Sequence, residues 1–163
     1  MTGVRPATDA DLALLTEIES AADGVFAEVG ITDLPPAANL DDFRAADAVL
    51  VSGDPPIGFA RIDLVLGEPY LSQLSVHPSA MRRGAGSALL EAAVRWAHQN
   101  GHDGLALATF RDVAWNAPFY ALHGFVEVMP PLTPGLELVR QHEKTLRLER
   151  FGPRVIMRRS VDG

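Results

Sequence analysis

No cysteine occurs among the 163 residues, which excludes disulfide staples, thiolate nucleophiles and cysteine-held metals. The five histidines (His77, His98, His102, His123, His142) show neither HExxH spacing nor another compact ligand pattern, so no metal is expected. No apolar run approaches the roughly 18 residues that a membrane span requires, and Met1 to Pro6 lacks the apolar core of a signal segment. These absences predict a soluble, cytoplasmic chain with no membrane partner. Positive charge is scarce as well. Fourteen Lys and Arg against 21 Asp and Glu leave a net charge of −7 at pH 7, the opposite of a nucleic-acid footprint. Such a balance favours small cationic partners.

What is present is enough apolar material for a folded core. Apolar residues make up 47% of the chain and the mean hydropathy is +0.08, so residues 1–163 are expected to form a single domain. Val4-Arg5 reads as a short strand. Thr8 with Asp11 three residues on is a capping-box start for a helix over about Asp9 to Ala22, with Leu12, Leu15, Ile18 and Ala22 at helical spacing. Asp23 to Leu40 has little periodicity and reads as an irregular loop, either a wall of a substrate pocket or a surface connection. A short helix follows near Asp41 to Ala46. Strands over Ala48 to Val51, Ile57 to Leu66 and Tyr70 to Val76 form an antiparallel meander, with turns at Ser52 to Pro56 and Gly67 to Pro69.

The chemistry starts at Gln73 to Leu90. The strand ending at Val76 is stopped by Pro78, and an apolar helical pattern begins just after Gly86. The loop between them delivers backbone N–H groups at a helix N-terminus, where unsatisfied donors and a partial positive charge favour an anion. Gly84 and Gly86 lack the Cβ atoms that would keep a phosphate away from the main chain. Arg82 and Arg83 add fixed charge. A Walker loop is excluded because no lysine stands here, and a dinucleotide fingerprint fails because its third glycine position falls on Leu89. After a helix to about His98 and the Asn100-Gly101 stop, Leu105 to Phe110 is a continuous apolar run, as in a buried parallel strand. Strand, helix, strand is then a right-handed crossover, with the glycine loop at the carboxyl end of a strand.

Met81-Arg82-Arg83-Gly84-Ala85-Gly86 resembles the pyrophosphate loop of the GNAT superfamily of acyl-CoA-dependent N-acetyltransferases, with Met81 in place of the usual Gln or Arg. A second motif supports the resemblance: Tyr120-Ala121-Leu122-His123-Gly124-Phe125 closes a short helix before a strand at Phe125 to Val128. The resemblance spans the chain to a last strand at Arg154 to Arg159. It implies a mixed α/β (α+β) fold with a central mixed sheet, an antiparallel N-terminal meander plus a βαβ crossover, and helices on both faces.

By the same resemblance, the backbone of Leu74, Ser75 and Val76 would pair with the pantetheine arm of acetyl-CoA like an added strand. Arg82, Arg83, Gly84, Ala85, Gly86 and Ser87 would hold the pyrophosphate, and Tyr120 would sit by the sulfur as the catalytic acid. Val113 stands where family members commonly carry Asn. Asn116 either takes over a CoA contact or is simply the N-cap or a first-turn residue of its helix. Trp115 and Phe119 read as core, and His123 as a partner of the helix dipole. No residue declares itself as general base; Glu28 and Glu68 are candidates or ordinary surface carboxylates. The helical stretch with Leu136, Val139, Glu143 and Leu146 packs on the core, borders the amine site or makes a dimer contact, homodimers being common in the family. The activity implied is acetyl transfer from acetyl-CoA to the primary amine of a small molecule or peptide. The alternative is a non-catalytic acyl-CoA-binding or regulatory module.

Overall fold

A computed structural model of the chain describes residues 3–162. Its strands are β1 (Val4–Pro6), β2 (Ala48–Ser52), β3 (Gly58–Val65), β4 (Glu68–Val76), β5 (Gly104–Phe110), β6 (Val126–Glu127) and β7 (Arg154–Ser160). Its helices are α1 (Asp9–Gly24), α2 (Leu40–Ala45), α3 (Ala85–Gln99), α4 (Ala117–Leu122) and α5 (Pro134–Thr145). The strands form a mixed sheet in the order β1-β2-β3-β4-β5-β7-β6. This is the expected mixed α/β class. Backbone contacts divide the chain into two compact units: the residues up to Asp63 with Ser72–Ala93, and Leu64–Leu71 with the residues from Val94 on.

In the first unit, α1 begins where the sequence places it. Thr8 N–H donates to Asp11 Oδ2 at 2.8 Å and Asp11 N–H donates to Thr8 Oγ1 at 3.3 Å, a reciprocal cap. Arg5 grips the same carboxylate with Nη1 at 2.6 Å and Nη2 at 3.1 Å, and donates from Nη2 to the Gly53 carbonyl at 3.0 Å. Leu12, Leu15 and Ile18 of α1 pack with Phe43, Val51 and Phe59 into one core cluster. Phe43 and Phe59 meet edge to face at 5.2 Å, a favourable arrangement of ring quadrupoles. α3 covers the opposite face of β3. A Cβ added at Gly58 would stand 2.8 Å from the Ser75 carbonyl oxygen and 3.2 Å from Leu89 Cδ1 and Val76 Cγ2. Only glycine fits there.

In the second unit, β5 pairs antiparallel with β7 from Gly104↔Ser160 to Phe110↔Arg154, and β4 pairs parallel with β5 at Tyr70↔Ala106. Leu136 and Val139 of α5 pack with Ala106 and Ile156. Arg154 holds Glu143 with Nε at 2.8 Å and lies over the Phe110 ring.

Three expectations change. The turn between β3 and β4 is Leu66-Gly67, both left-handed (φ 48° and 80°), as two-residue hairpin loops demand; Glu68 and Pro69 already belong to β4. Residues 25–29 of the expected irregular loop form a 3-10 helix. The strand expected over Phe125 to Val128 shortens to Val126–Glu127.

The Arg5 hydrogen bond, together with Thr8, holds the Asp11 carboxyl down at about 2 against its ordinary 3.8. A depressed carboxyl stabilises the fold above its unfolded value, and that stability is lost as pH falls through about 2. Asp11→Asn should therefore melt below the wild type at neutral pH, with the two converging between pH 3.8 and about 2; thermal melts across that range check it.

Candidate functional site

The first unit carries the glycine loop. After β4 the His77 side chain folds the chain back by accepting from Ser79 N–H at 3.1 Å, and Pro78–Ala80 form a single 3-10 turn. Arg82 then adopts φ 64° and Gly84 φ 84°. A left-handed arginine costs about 1–2 kcal/mol, which the loop bears in order to turn strand into helix within a few residues. The first bond within α3 runs from Ala88 N–H to the Gly84 carbonyl at 3.0 Å, so the N–H groups of Ala85 and Gly86 come before any intrahelical acceptor. Behind them Leu89 and Leu90 are fully buried and fix the helix start. Arg82, Arg83 and Gly84 are exposed beside these donors. Gly86 lies inside the helix. The positive dihedral is at Gly84, so a side chain at Gly86 acts only through its bulk.

The end of β4 has a feature with no sequence signature. Ser72 Oγ donates to Asp63 Oδ2, which puts both on one face, while Val76 shares the opposite face with Gly58. Ser72 and Val76 are four residues apart and would share a face in a regular strand. The alternation slips by one residue between them, which is a β-bulge. His77 N–H donates to the Ile57 carbonyl at 2.8 Å, so the Val76 N–H is turned to the edge away from β3. Ser75 is buried, and its hydroxyl accepts from Gln73 Nε2 at 2.9 Å. Leu74 is half-buried.

The first unit also holds two carboxylates that periodic reading of α1 passes over. Glu19 is 7% exposed and its Oε2 accepts from Ala38 N–H at 3.2 Å. Burial pushes its carboxyl up to about 7, with Asp23 and Asp42 adding to the effect and the Ala38 amide and Arg61 opposing it. Asp23 is raised to about 6 by burial. The signal was available: Glu19 stands at Leu15+4, on the stripe that faces inward.

The second unit carries the other motif. Asn116 precedes α4, but its side chain does not cap that helix. Its Oδ1 instead accepts from Thr109 Oγ1 at 2.7 Å and from Phe110 N–H at 3.3 Å, tying the end of β5 to the start of α4. Any further contact by Asn116 falls to Nδ2. Tyr120 lies edge-on to Phe119 at 5.4 Å and to Phe125 at 5.9 Å, and its carbonyl accepts from Phe125 N–H at 3.1 Å. Burial raises its hydroxyl above the ordinary value, against a smaller opposing pull from Arg154. That hydroxyl is a donor throughout the neutral range. Gly124 ends the turn with φ 85°. The His123 ring rests 4.8 Å from Phe119, and Val113 is buried.

Glu68 has a different job from the one its position suggested. Its Oε1 accepts from Thr133 Oγ1 at 2.6 Å and its Oε2 from Gly135 N–H at 2.9 Å, so it clamps the N-terminus of α5, where a carboxylate is favoured by the dipole. Glu28 is exposed on the 3-10 helix.

Residues 17–125 match the profile described as the acetyltransferase (GNAT) family. The fold is similar to that of Rv2747 from Mycobacterium tuberculosis, solved in complex with CoA and NLQ, at 18% identity and TM-score 0.68 over 97% of this chain and 98% of that one. It is similar to the ribosomal-protein-S18-alanine N-acetyltransferase from Escherichia coli at 21% identity and TM-score 0.68, over 99% and 94% of the two chains. The PaiA N-acetyltransferase from Thermoplasma acidophilum, solved with coenzyme A, matches at 15% identity and TM-score 0.65, over 98% and 99%.

Gly86→Val puts a branched side chain at the first turn of α3 without disturbing a left-handed residue. The variant should stay folded and bind acetyl-CoA at least about tenfold more weakly, as read by calorimetry; unchanged affinity would reduce the loop to a plain helix start.

Proposed function

The chain belongs to the acetyltransferase (GNAT) family, the matched residues 17–125 taking in both glycine-bearing motifs, and on that premise we propose that it transfers an acetyl group from acetyl-CoA to a primary amine by direct attack. The observation that carries this reading is the first turn of α3, with the amides of Ala85 and Gly86 ahead of its first intrahelical bond and a left-handed turn at Arg82 and Gly84 before it. Backbone donors with two exposed arginines beside them suit a pyrophosphate. Leu74 and Val76 would meet the pantetheine arm along the edge of β4, and the outward Val76 N–H is suited to polarise the thioester carbonyl.

Positioning does most of the work in such a reaction. The neutral amine attacks the carbonyl carbon, the C–N bond forms, and the C–S bond breaks as the tetrahedral intermediate collapses. Tyr120 gives its phenolic proton to the departing sulfur and regains one from solvent, to which the attacking nitrogen loses its own. Burial raises that hydroxyl, so the proton is in place at every working pH. The acceptor is read as cationic from the net charge of −7 and from Asp23, Glu28 and Asp33 in one segment. A name among the similar structures, ribosomal-protein-S18-alanine N-acetyltransferase, adds a peptide amine to the acceptors worth assaying. The rival reading, a non-catalytic acyl-CoA-binding module, is favoured by the apolar Val113 and by the commitment of Glu68 to α5.

Tyr120→Phe keeps the ring and removes only the hydroxyl. Acetyl-CoA affinity should barely move while turnover falls by roughly 10² to 10⁴, and wild-type double-reciprocal plots should intersect, since no acyl-enzyme is formed. Parallel plots would rule out direct attack, and full activity in the phenylalanine variant would leave Tyr120 as packing. Among small amines, cationic ones should react fastest and lose their advantage as salt rises; rates indifferent to charge and salt would remove the acidic-segment argument.

A further inference from the structure

Midway along α1 a carboxylate occupies a place where the apolar stripe should continue. Glu19 is as buried as its neighbours Leu12 and Ile18. Part of the reason is structural. Glu19 Oε2 accepts from Ala38 N–H, and Thr16 Oγ1 donates to the Ala38 carbonyl at 2.6 Å, so residue 38 is stitched to α1 from both sides. A glutamine would do this without a buried charge, and burying a charge is costly unless it is paired. The other oxygen, Oε1, is buried and has no hydrogen-bond partner. One helical turn further, at i+4 and so on the same face, Asp23 is half-buried and makes no side-chain hydrogen bond or ion pair among the described residues.

The charges around the pair leave it unbalanced. Facing Glu19 are Asp23 on its own helix, Asp42 of α2 and Arg61 of β3. Arg61 is shared: its Nε lies 3.0 Å from Asp63 Oδ2, the oxygen that also accepts from Ser72. One divided cation cannot satisfy this many carboxylates. What Glu19 and Asp23 both lack is a positively charged donor, and a primary alkylammonium brings three N–H groups on one charge.

We propose that Glu19 and Asp23 form the site that receives the cationic acceptor amine and takes its first proton, an assignment that rests on the acetyl-transfer reading above. Asp23, the more accessible, meets the ammonium. Glu19 beneath it supplies the second acceptor and holds the pair's negative charge toward the amine. The ammonium gives one proton to the pair, which passes it to solvent; the freed lone pair forms the C–N bond. The nitrogen's second proton is lost as the sulfur gains one, so each turnover yields amide, CoA thiol and one proton. Burial holds Asp23 at about 6 and Glu19 at about 7, so the pair ionises as pH rises through that window, and transfer should rise with it.

The test uses the full chain with acetyl-CoA and three amine probes: butane-1,4-diamine, lysinamide and an alanyl tripeptide. Thiol release is followed from about pH 5 to about pH 9, and kcat/KM should climb through an acid limb between about 6 and about 7. Glu19→Gln keeps an acceptor for Ala38 but cannot take a proton. It should lose the upper part of that limb and fall at least about tenfold at alkaline pH, with KM for acetyl-CoA unchanged. Asp23→Asn should raise KM for the best probe at least about tenfold and shift the Glu19 limb to lower pH, because a neighbouring negative charge is gone. Folding has its own readout. A carboxyl raised from 4.5 to about 7 favours the fold when protonated and loses that contribution as pH rises through about 7. Glu19→Gln should thus melt above the wild type at alkaline pH and match it below 4.5. A wild-type pH profile in Glu19→Gln, or a wild-type amine KM in Asp23→Asn, overturns this assignment alone. A wild type that releases no thiol with any probe overturns the transfer reading and this assignment with it.

Discussion

A helix cannot begin without leaving its first amides short of intrahelical acceptors, and at the start of α3 this happens beside two exposed arginines, Arg82 and Arg83. The strand-to-helix reversal takes one proline-led turn and two left-handed residues, Arg82 and Gly84. Its strain is small beside what anchors the helix from behind. Burying Leu89 and Leu90 contributes roughly 1.5–3 kcal/mol each, and both are fully buried. The amides of Ala85 and Gly86 are thus fixed in place by a packed helix. An anion bound there meets donors that need no reorganisation.

Acidic groups are sorted by whether they have partners. Asp11 is held by Arg5 and Thr8, Glu143 by Arg154, and Glu68 by Thr133 and the α5 amide of Gly135. Each of these supports the fold. Glu19 and Asp23 differ in kind. One has an orphan oxygen in the interior and the other no side-chain partner among the described residues. Asp11, held by a guanidinium, is pulled down, whereas burial pushes Glu19 and Asp23 up. The proposed amine site rests on that contrast between Asp11, Glu68 and Glu143 on one side and the α1 pair on the other.

The parts legible in the sequence were those punctuated by proline, glycine or a cap. Thr8 with Asp11, Pro78 before the loop, and Gly124 after Tyr120 each mark a boundary that the structure observes. Proline is not a reliable turn mark at Pro69, which sits near the start of β4, where a missing N–H is tolerated. The left-handed residue at Arg82 was not readable, because the strain is imposed by the elements on either side and not by the residue. The bulge between Ser72 and Val76 shows only when faces are compared across two strands. Glu68 seemed free because its partners are more than 60 residues away in the chain. Glu19 lay on the inward stripe, but its meaning depends on residue 38 folding over it, which spacing along one helix cannot reveal.

Acetyl transfer requires coupling between the cofactor held at the start of α3 and an amine acceptor, and the direct measurement is thiol release from acetyl-CoA with and without amine. The account predicts release that requires the amine, saturates with it, and yields one acetylated amine per thiol. Acetyl-CoA binding without amine-dependent release across small-molecule and peptide acceptors would contradict it and leave the chain as a binding module of the same fold.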